Sequence, residues 1–208
     1  MAGPTREFWQ QRFRDEDTPW DRGGVNPQLE VWLAGGAMQP GRILVPGCGS
    51  GHEVVALAAR GFAVTALDFA PEAVQRTRER LAAAGQSADV VEADALSWQP
   101  DRPFDAVYEQ TCLCALYPDH WIAYAAQLER WLTPGGMLFA LFMQVLRPAS
   151  AEGMIEGPPY HCDINAMRAL FASPRWDWPK PPYDRSPHPR GIHELAVRLQ
   201  KRTDPPRP

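Results

Sequence analysis

The stretch Val45-Pro46-Gly47-Cys48-Gly49-Ser50-Gly51 decides how this chain is read. It follows the apolar run of residues 42–45, and the turn signal Pro46-Gly47 ends that run as a strand. Residues 52–60 then space Val54, Val55, Leu57 and Ala58 as the buried side of a helix. Strand, glycine-rich turn and helix in that order open a βαβ unit. Glycines at 47, 49 and 51 let the backbone turn tightly and let a ligand approach the main chain. The N–H groups that start the following helix favour an anionic group. A dinucleotide fingerprint needs G-x-G-x-x-G, and position 52 here is His. The loop therefore suits a ligand without a pyrophosphate.

The alternation continues outward from this unit. Residues 62–67, 88–91, 104–108 and 137–142 read as further strands, and 72–84 and 120–132 as helices. Pro71 precedes the helix of 72–84 and Gly85 follows it, the places where helix ends favour these residues. Pro134-Gly135-Gly136 stops the helix of 120–132. Residues 165–171 read as a helix and 192–199 as a late strand. Strands alternating with helices predict a mostly parallel sheet covered on both faces, an α/β fold. The run 137–142 is apolar throughout, as expected of a parallel strand buried on both sides.

Composition bounds the rest. The 208 residues suffice for one domain, expected over 1–202, with an aromatic segment at about 5–22 and a disordered tail at 203–208. A net charge of -4 gives no basic footprint, so nucleic acid is not an expected partner. No apolar run approaches the roughly 20 residues that span a bilayer, and residues 1–11 lack the apolar stretch of a signal peptide. A cytoplasmic monomer acting on a small molecule, away from membranes, is the expectation. Cys112 and Cys114 are one residue apart, which fits neither a C-x-x-C redox pair nor the usual zinc spacing. The four cysteines are read as small buried side chains, and no metal set is read.

In such sheets the ligand lies beyond the carboxyl ends of the strands. Asp68 ends the second strand, where an acid accepts hydrogen bonds from ribose hydroxyls; its alternative role is to cap the next helix. Asp94 follows the third strand and can accept from an adenine amino group, with Ala95 offering a backbone N–H. Tyr108, Glu109, Gln110 and Thr111 follow the fourth strand. Tyr160 and His161 lie on a proline-rich loop after the fifth, His161 being read as merely solvated. Phe8, Trp9, Phe13 and Trp20 precede the first strand and need something apolar to cover, either a sheet edge or a ligand.

These features resemble a class I methyltransferase dependent on S-adenosylmethionine (SAM), which implies a Rossmann-like fold with a mostly parallel seven-stranded sheet and helices on both faces. More narrowly, the chain is similar to the thiopurine S-methyltransferase family and its thiol and halide methyltransferase relatives. The segment from Phe8-Trp9 through Phe13 to Thr18-Pro19-Trp20-Asp21 carries that likeness, with Tyr108 to Leu116, Trp121 and Gly157-Pro158-Pro159-Tyr160. The resemblance implies a SAM cofactor, with Trp9, Phe13 and Trp20 as a lid over it. Gly47 and Gly49 fall at its methionine portion, with Gly51 also expected to bind the cofactor, Asp68 at the ribose, and Asp94 and Ala95 at the adenine. Gln110 stands where thiopurine-methylating members commonly have arginine, which leans toward the thiol and halide branch. Gln110, Thr111 and Tyr160 are the residues expected around the reacting atoms, and Gln110 is also expected to bind the cofactor.

The implied chemistry is methyl transfer to a small thiol, with halide and selenium or tellurium acceptors not separated from it. A thiolate forms near neutral pH, since a free thiol has a pKa of roughly 8.5, so no strong base is required. No G-x-S-x-G motif or triad is present. The uncharged Gln110, Thr111 and Cys112, with Glu109 the one acid, argue against a bulky anionic acceptor, which calls for Arg or Lys. A small-molecule O- or N-methyltransferase and a non-catalytic SAM-binding protein stay open. An oxidoreductase is disfavoured by the absent third glycine of the dinucleotide motif.

Overall fold

A computed structural model of the chain describes residues 3–148, 154–188 and 190–203. Helix α1 (Arg6–Arg14) starts where the Thr5 hydroxyl accepts the Phe8 N–H, and it buries Phe13. Helix α2 (Pro27–Ala34) is capped by Asn26, whose side chain accepts the Gln28 N–H at 2.9 Å, with Pro27 at its first turn. The sequence reading above contains no helix at this place. Beyond it run β1 (Arg42–Pro46), α3 (His52–Ala58), β2 (Ala63–Asp68), α4 (Pro71–Ala83), β3 (Asp89–Glu92) and β4 (Phe104–Gln110). A short α5 (Cys112–Ala115) and a single 3₁₀ turn lead into α6 (Trp121–Trp131). Then come β5 (Leu132–Gln144), α7 (Ile164–Leu170), β6 (Trp176–Asp177), β7 (Asp184–Pro187) and β8 (His193–Lys201).

The sheet order is β3-β2-β1-β4-β5-β8-β6, with β7 also paired to β8. The first five strands are parallel, and β8 runs antiparallel to β5 along Met137–Gln144. The expected seventh strand position is occupied by two short pieces. Trp176 and Asp177 pair with Lys201 and Gln200, and Asp184 to Pro187 pair with Ala196 to His193. Between them lie Pro179, Pro181 and Pro182, and proline cannot donate to a ladder, so the edge strand is broken there. The tail expected at 203–208 lies outside the described residues, Thr203 excepted.

Strand alternation divides the core into two layers. Ile43, Val45, Tyr108 and Phe139 face Leu29 and Trp32 of α2 and Val54 and Leu57 of α3. Leu44, Val107 and Leu138 face Tyr124, Leu128 and Trp131 of α6 and Met167 of α7. All four cysteines are free and buried. Among the described residues no helix is long and apolar enough to cross a membrane, and no His, Cys, Asp and Glu cluster could hold a metal ion. The parallel order reverses between β1 and β4, and that crevice positions the site.

Candidate active site

A cavity of about 630 Å³ opens beyond the carboxyl ends of β1 to β5, within the range of small-molecule sites. Its floor is the glycine loop. Gly47, Gly49 and Gly51 all have positive φ (62°, 53° and 76°), a region that L side chains rarely adopt. A Cβ at Gly51 would also lie 2.7 Å from Thr77 Oγ1, so this glycine lets α3 pack against α4. A Cβ at Gly49 would extend toward Phe13 of the opposite wall, 3.8 Å from its ring, across space the cavity now occupies.

The Asp68 carboxylate stands at the end of β2, where it accepts the Gly49 N–H and the Ala70 N–H, each at 3.0 Å. It therefore shapes the loop and the approach to α4 as well as lining the cavity. Burial raises its pKa, and the backbone N–H groups at Ala70, Gly49 and Phe69 oppose that. Its two oxygens still have lone pairs to offer hydroxyl donors. Asp94 and Ala95 line the cavity after β3, and the Asp94 carboxylate accepts the Leu96 N–H at 2.8 Å.

The aromatic wall comes from the N-terminal segment. Trp20 meets Trp9 and Phe13 edge-on, with ring centroids 5.2 Å and 5.7 Å apart. Helix α1 is fixed to α4: Gln10 accepts the Glu72 N–H at 3.0 Å, and Arg76 donates to the Phe13 carbonyl. Asp21 ties the same segment to the glycine loop. One carboxylate oxygen accepts the Ser50 hydroxyl at 2.5 Å, and the other meets His52 Nε2 at 3.1 Å and the Gly23 N–H at 2.7 Å. The hydrogen bond from His52 is the main reason that the Asp21 carboxyl titrates well below the usual carboxylate range. Behind it Arg22 donates to Glu194 at 2.8 Å and to the Pro187 carbonyl at 2.6 Å, a buried link to β7 and β8. Asp21, Ser50 and His52 carry no role in the sequence reading, although Thr18-Pro19-Trp20-Asp21 marks the place.

After β4 the strand period separates neighbours. Tyr108 and Gln110 line the cavity, and the Tyr108 hydroxyl donates to Gln110 Oε1 at 2.7 Å. Glu109 points to the other face, where Oε1 accepts the Leu113 N–H at 2.6 Å. It is buried, its pKa is pushed up to about 8 by that burial, and it takes no part in the cavity wall. Thr111 lines the cavity with φ 63°, an outlying conformation for a β-branched residue, and its hydroxyl donates to the Gln110 carbonyl.

Tyr160 is not brought into the cavity. Its N–H donates to the Cys114 carbonyl at 2.7 Å, and its ring packs edge-on against Tyr117. Pro158 and Pro159 of the same loop do line the wall. His161 accepts the Val145 N–H at Nδ1 and lies outside the lining as well. The expectation of an acceptor wall without cations is corrected. Arg147 from the end of β5 and Arg190 from the turn before β8 reach the cavity, as does His188. They come from the C-terminal third, where no motif marks them.

A sequence profile of the family described as Thiopurine S-methyltransferase (TPMT) matches residues 4–180. The chain belongs to this family. Thiocyanate methyltransferase 1 of Arabidopsis thaliana is 30% identical over 165 residues, 78% of this chain and 70% of that one. A thiopurine S-methyltransferase of Pseudomonas putida (strain GB-1) is 28% identical over 192 residues, 82% of this chain and 84% of that one. Among solved structures, one from work on the conversion of a disulfide bond into a thioacetal group in echinomycin biosynthesis superposes with a TM-score of 0.79. It is 25% identical and covers 96% of this chain and 94% of its own. The N1-methyltransferase of Burkholderia thailandensis, with S-adenosylhomocysteine bound, gives 0.76 at 18% identity, covering 97% and 92%. The fold is therefore the class I methyltransferase fold, and as a family member the chain is a SAM-dependent methyltransferase.

The cavity fits SAM. Glycines leave the loop backbone open to it, the aromatic wall offers faces to a sulfonium, and the carboxylate of Asp68 lines the same space.

Proposed function

We propose that this family member methylates the sulfur of a small thiol. SAM supplies the methyl group, on a sulfonium that is already a good leaving group. In this reading Trp9, Phe13 and Trp20 cover the sulfonium and exclude water. Gly47, Gly49 and Gly51 receive the methionine portion, Asp68 the ribose hydroxyls, and Asp94 with Ala95 the adenine. Gln110 and Thr111 stand at the acceptor.

One observation carries the choice of acceptor. The Tyr108 hydroxyl occupies the side-chain oxygen of Gln110. Gln110 is left with amide N–H groups to offer, which are donors and not a base. Glu109, the acid of this stretch, is on the other face of the sheet. Donors without a base suit a nucleophile that arrives ionised, and a thiol does so near neutral pH. The relatives named above, for thiocyanate and for thiopurines, support a sulfur acceptor.

The test is a methyl-transfer screen with labelled SAM against sulfide, alkyl and aromatic thiols, thiopurines, iodide, phenols and amines. Thiols are expected to lead, with rates that rise with pH until the thiol is ionised. A phenol or amine methylated at least tenfold more efficiently than every thiol, about 1.4 kcal/mol in transition-state preference, would overturn the assignment.

A further inference from the structure

The carboxylates around the cavity are confined to one side, where Arg12, Arg22 and His52 stand among them. Its carboxylates are Asp17 and Asp21 of the N-terminal segment, Glu53 of α3, and Asp68 and Asp94 beyond β2 and β3. The wall formed after β4, after β5 and in the turn before β8 has none. That wall instead contains Arg147, Arg190 and His188. The chain as a whole carries a net charge of -4, so this cationic wall is a local feature and not a reflection of composition.

The two arginines are held differently. Arg147 Nη1 donates to the carbonyls of Glu156 and Pro159, at 2.7 Å and 2.8 Å, and Nε lies 3.5 Å from the exposed Glu156 carboxylate. Its guanidinium is thereby fixed beside Pro158 and Pro159, with Nη2 taking no acceptor among the described residues. Arg190 is exposed at the cavity mouth, and its side chain makes no hydrogen bond or ion pair among the described residues. Its backbone is tied down: the Arg190 N–H donates to His188 Nδ1, and the Gly191 N–H to the His188 carbonyl at 3.0 Å. With Nδ1 an acceptor, the neutral imidazole carries its proton on Nε2, which is buried and turned from solvent. Arg147 is thus partly neutralised by Glu156 from outside the cavity, while Arg190 brings positive charge to a wall that has no carboxylate in its lining.

We infer that the acceptor is a thiol bearing a second, anionic group, a carboxylate, which Arg190 selects at the mouth, with Arg147 in the same wall. The inference rests on the thiol reading above and deepens it. The acceptor sulfur loses its proton to solvent and forms the new carbon–sulfur bond. The methyl–sulfonium bond breaks as it does so, and its electron pair stays on the departing sulfur. The carboxylate is unchanged and serves only to bind and orient. Guanidinium and carboxylate match in shape as well as charge, which makes arginine the suited residue.

The experiment compares 3-mercaptopropionate, 1-propanethiol and cysteamine with labelled SAM, each kcat/KM being expressed per thiolate present. The carboxylate thiol is expected to lead, the ammonium thiol to trail, and the gap to narrow as salt screens the exposed guanidinium. Arg190→Gln is expected to lower the ratio of acidic to neutral thiol about tenfold, mainly through KM, with Arg190→Lys restoring part of it. Arg190→Glu should turn the preference toward cysteamine. Equal turnover of the three thiols by the wild type would overturn the inference and leave the thiol reading standing, as would an unchanged ratio in Arg190→Gln. Turnover of phenols or amines with no thiol accepted would overturn both.

Discussion

Asp21 and His52 stand 3.1 Å apart, carboxylate to imidazole Nε2, and join the N-terminal segment to the first turn of α3. This contact, with the Ser50 hydroxyl on the other oxygen, ties the N-terminal aromatic segment to the glycine loop. Asp21→Ala removes both links without touching the core. The SAM dissociation constant is expected to rise about tenfold, in line with the 1.5 to 3 kcal/mol typical of hydrogen bonds to a charged group. Calorimetry on the folded variant decides the matter, and unchanged affinity would separate the latch from SAM binding. The depressed Asp21 pKa sets the pH sense. The contribution of this carboxylate to stability is full above about pH 4 and is lost only as pH falls through the lowered value.

Trp20 is half-buried and rests on Trp9 and Phe13, outside the two main core layers. Trp20→Ala should therefore leave the sheet folded by circular dichroism. The loss of one aromatic face, worth about 0.5 to 2 kcal/mol, should weaken SAM several-fold. A variant that unfolds outright would make Trp20 a core residue.

Asp68 holds the glycine loop through the Gly49 N–H and is proposed to hold the ribose as well. Asp68→Ala should weaken SAM by about 1.5 to 3 kcal/mol. It should also lower the melting temperature of the ligand-free protein, because the Gly49 and Ala70 N–H groups lose their acceptor. Asp68→Asn keeps one acceptor oxygen and should recover part of the stability while still binding SAM weakly. Normal SAM affinity in either folded variant would remove Asp68 from the cofactor site.

Glu109 makes stability depend on pH. Burial holds its pKa at about 8 in the folded chain, above the ordinary value of 4.5, despite the opposing N–H groups of Leu113 and Cys112. The native state therefore keeps a proton that the unfolded chain releases. Stability is expected to fall as pH rises from about 4.5 to about 8, since the folded state binds more protons across that window. Glu109→Gln still accepts the Leu113 N–H and does not titrate, so its melting temperature should vary less between pH 5 and pH 8. Equal slopes for the two proteins would contradict this account.

The pattern of elements was legible because its signals are local. Periodicity switches from 2 to 3.6 within about ten residues, and Pro71 and Gly85 mark the ends of α4, whereas Pro134-Gly135-Gly136, read as a helix stop, lie within β5. Helix α2 has an ordinary start in Asn26-Pro27 but no readable period, because Leu29, Val31, Trp32, Leu33 and Ala34 spread apolar residues nearly all round its two turns. The separation of Glu109 from Tyr108 and Gln110 was also available in principle, since alternate residues of a strand face opposite ways. The split edge strand had a signal in its prolines, but nothing in the sequence says that β6 and β7 share one edge of β8.

By itself the sequence determined the α/β alternation, the glycine loop and the acids that follow β2 and β3, because each lies within a few residues of the strand that presents it. Tertiary structure alone decided which distant side chains meet. Asp21 reaches His52 and Ser50 only once α1 has docked on α4. Tyr160 turns to Tyr117 and away from the cavity because of packing that no nearby residue encodes. Arg147 and Arg190, far apart in the chain, enter one wall because β8 lies antiparallel beside β5. Strand order brings those ends together, and strand order is a property of the whole sheet.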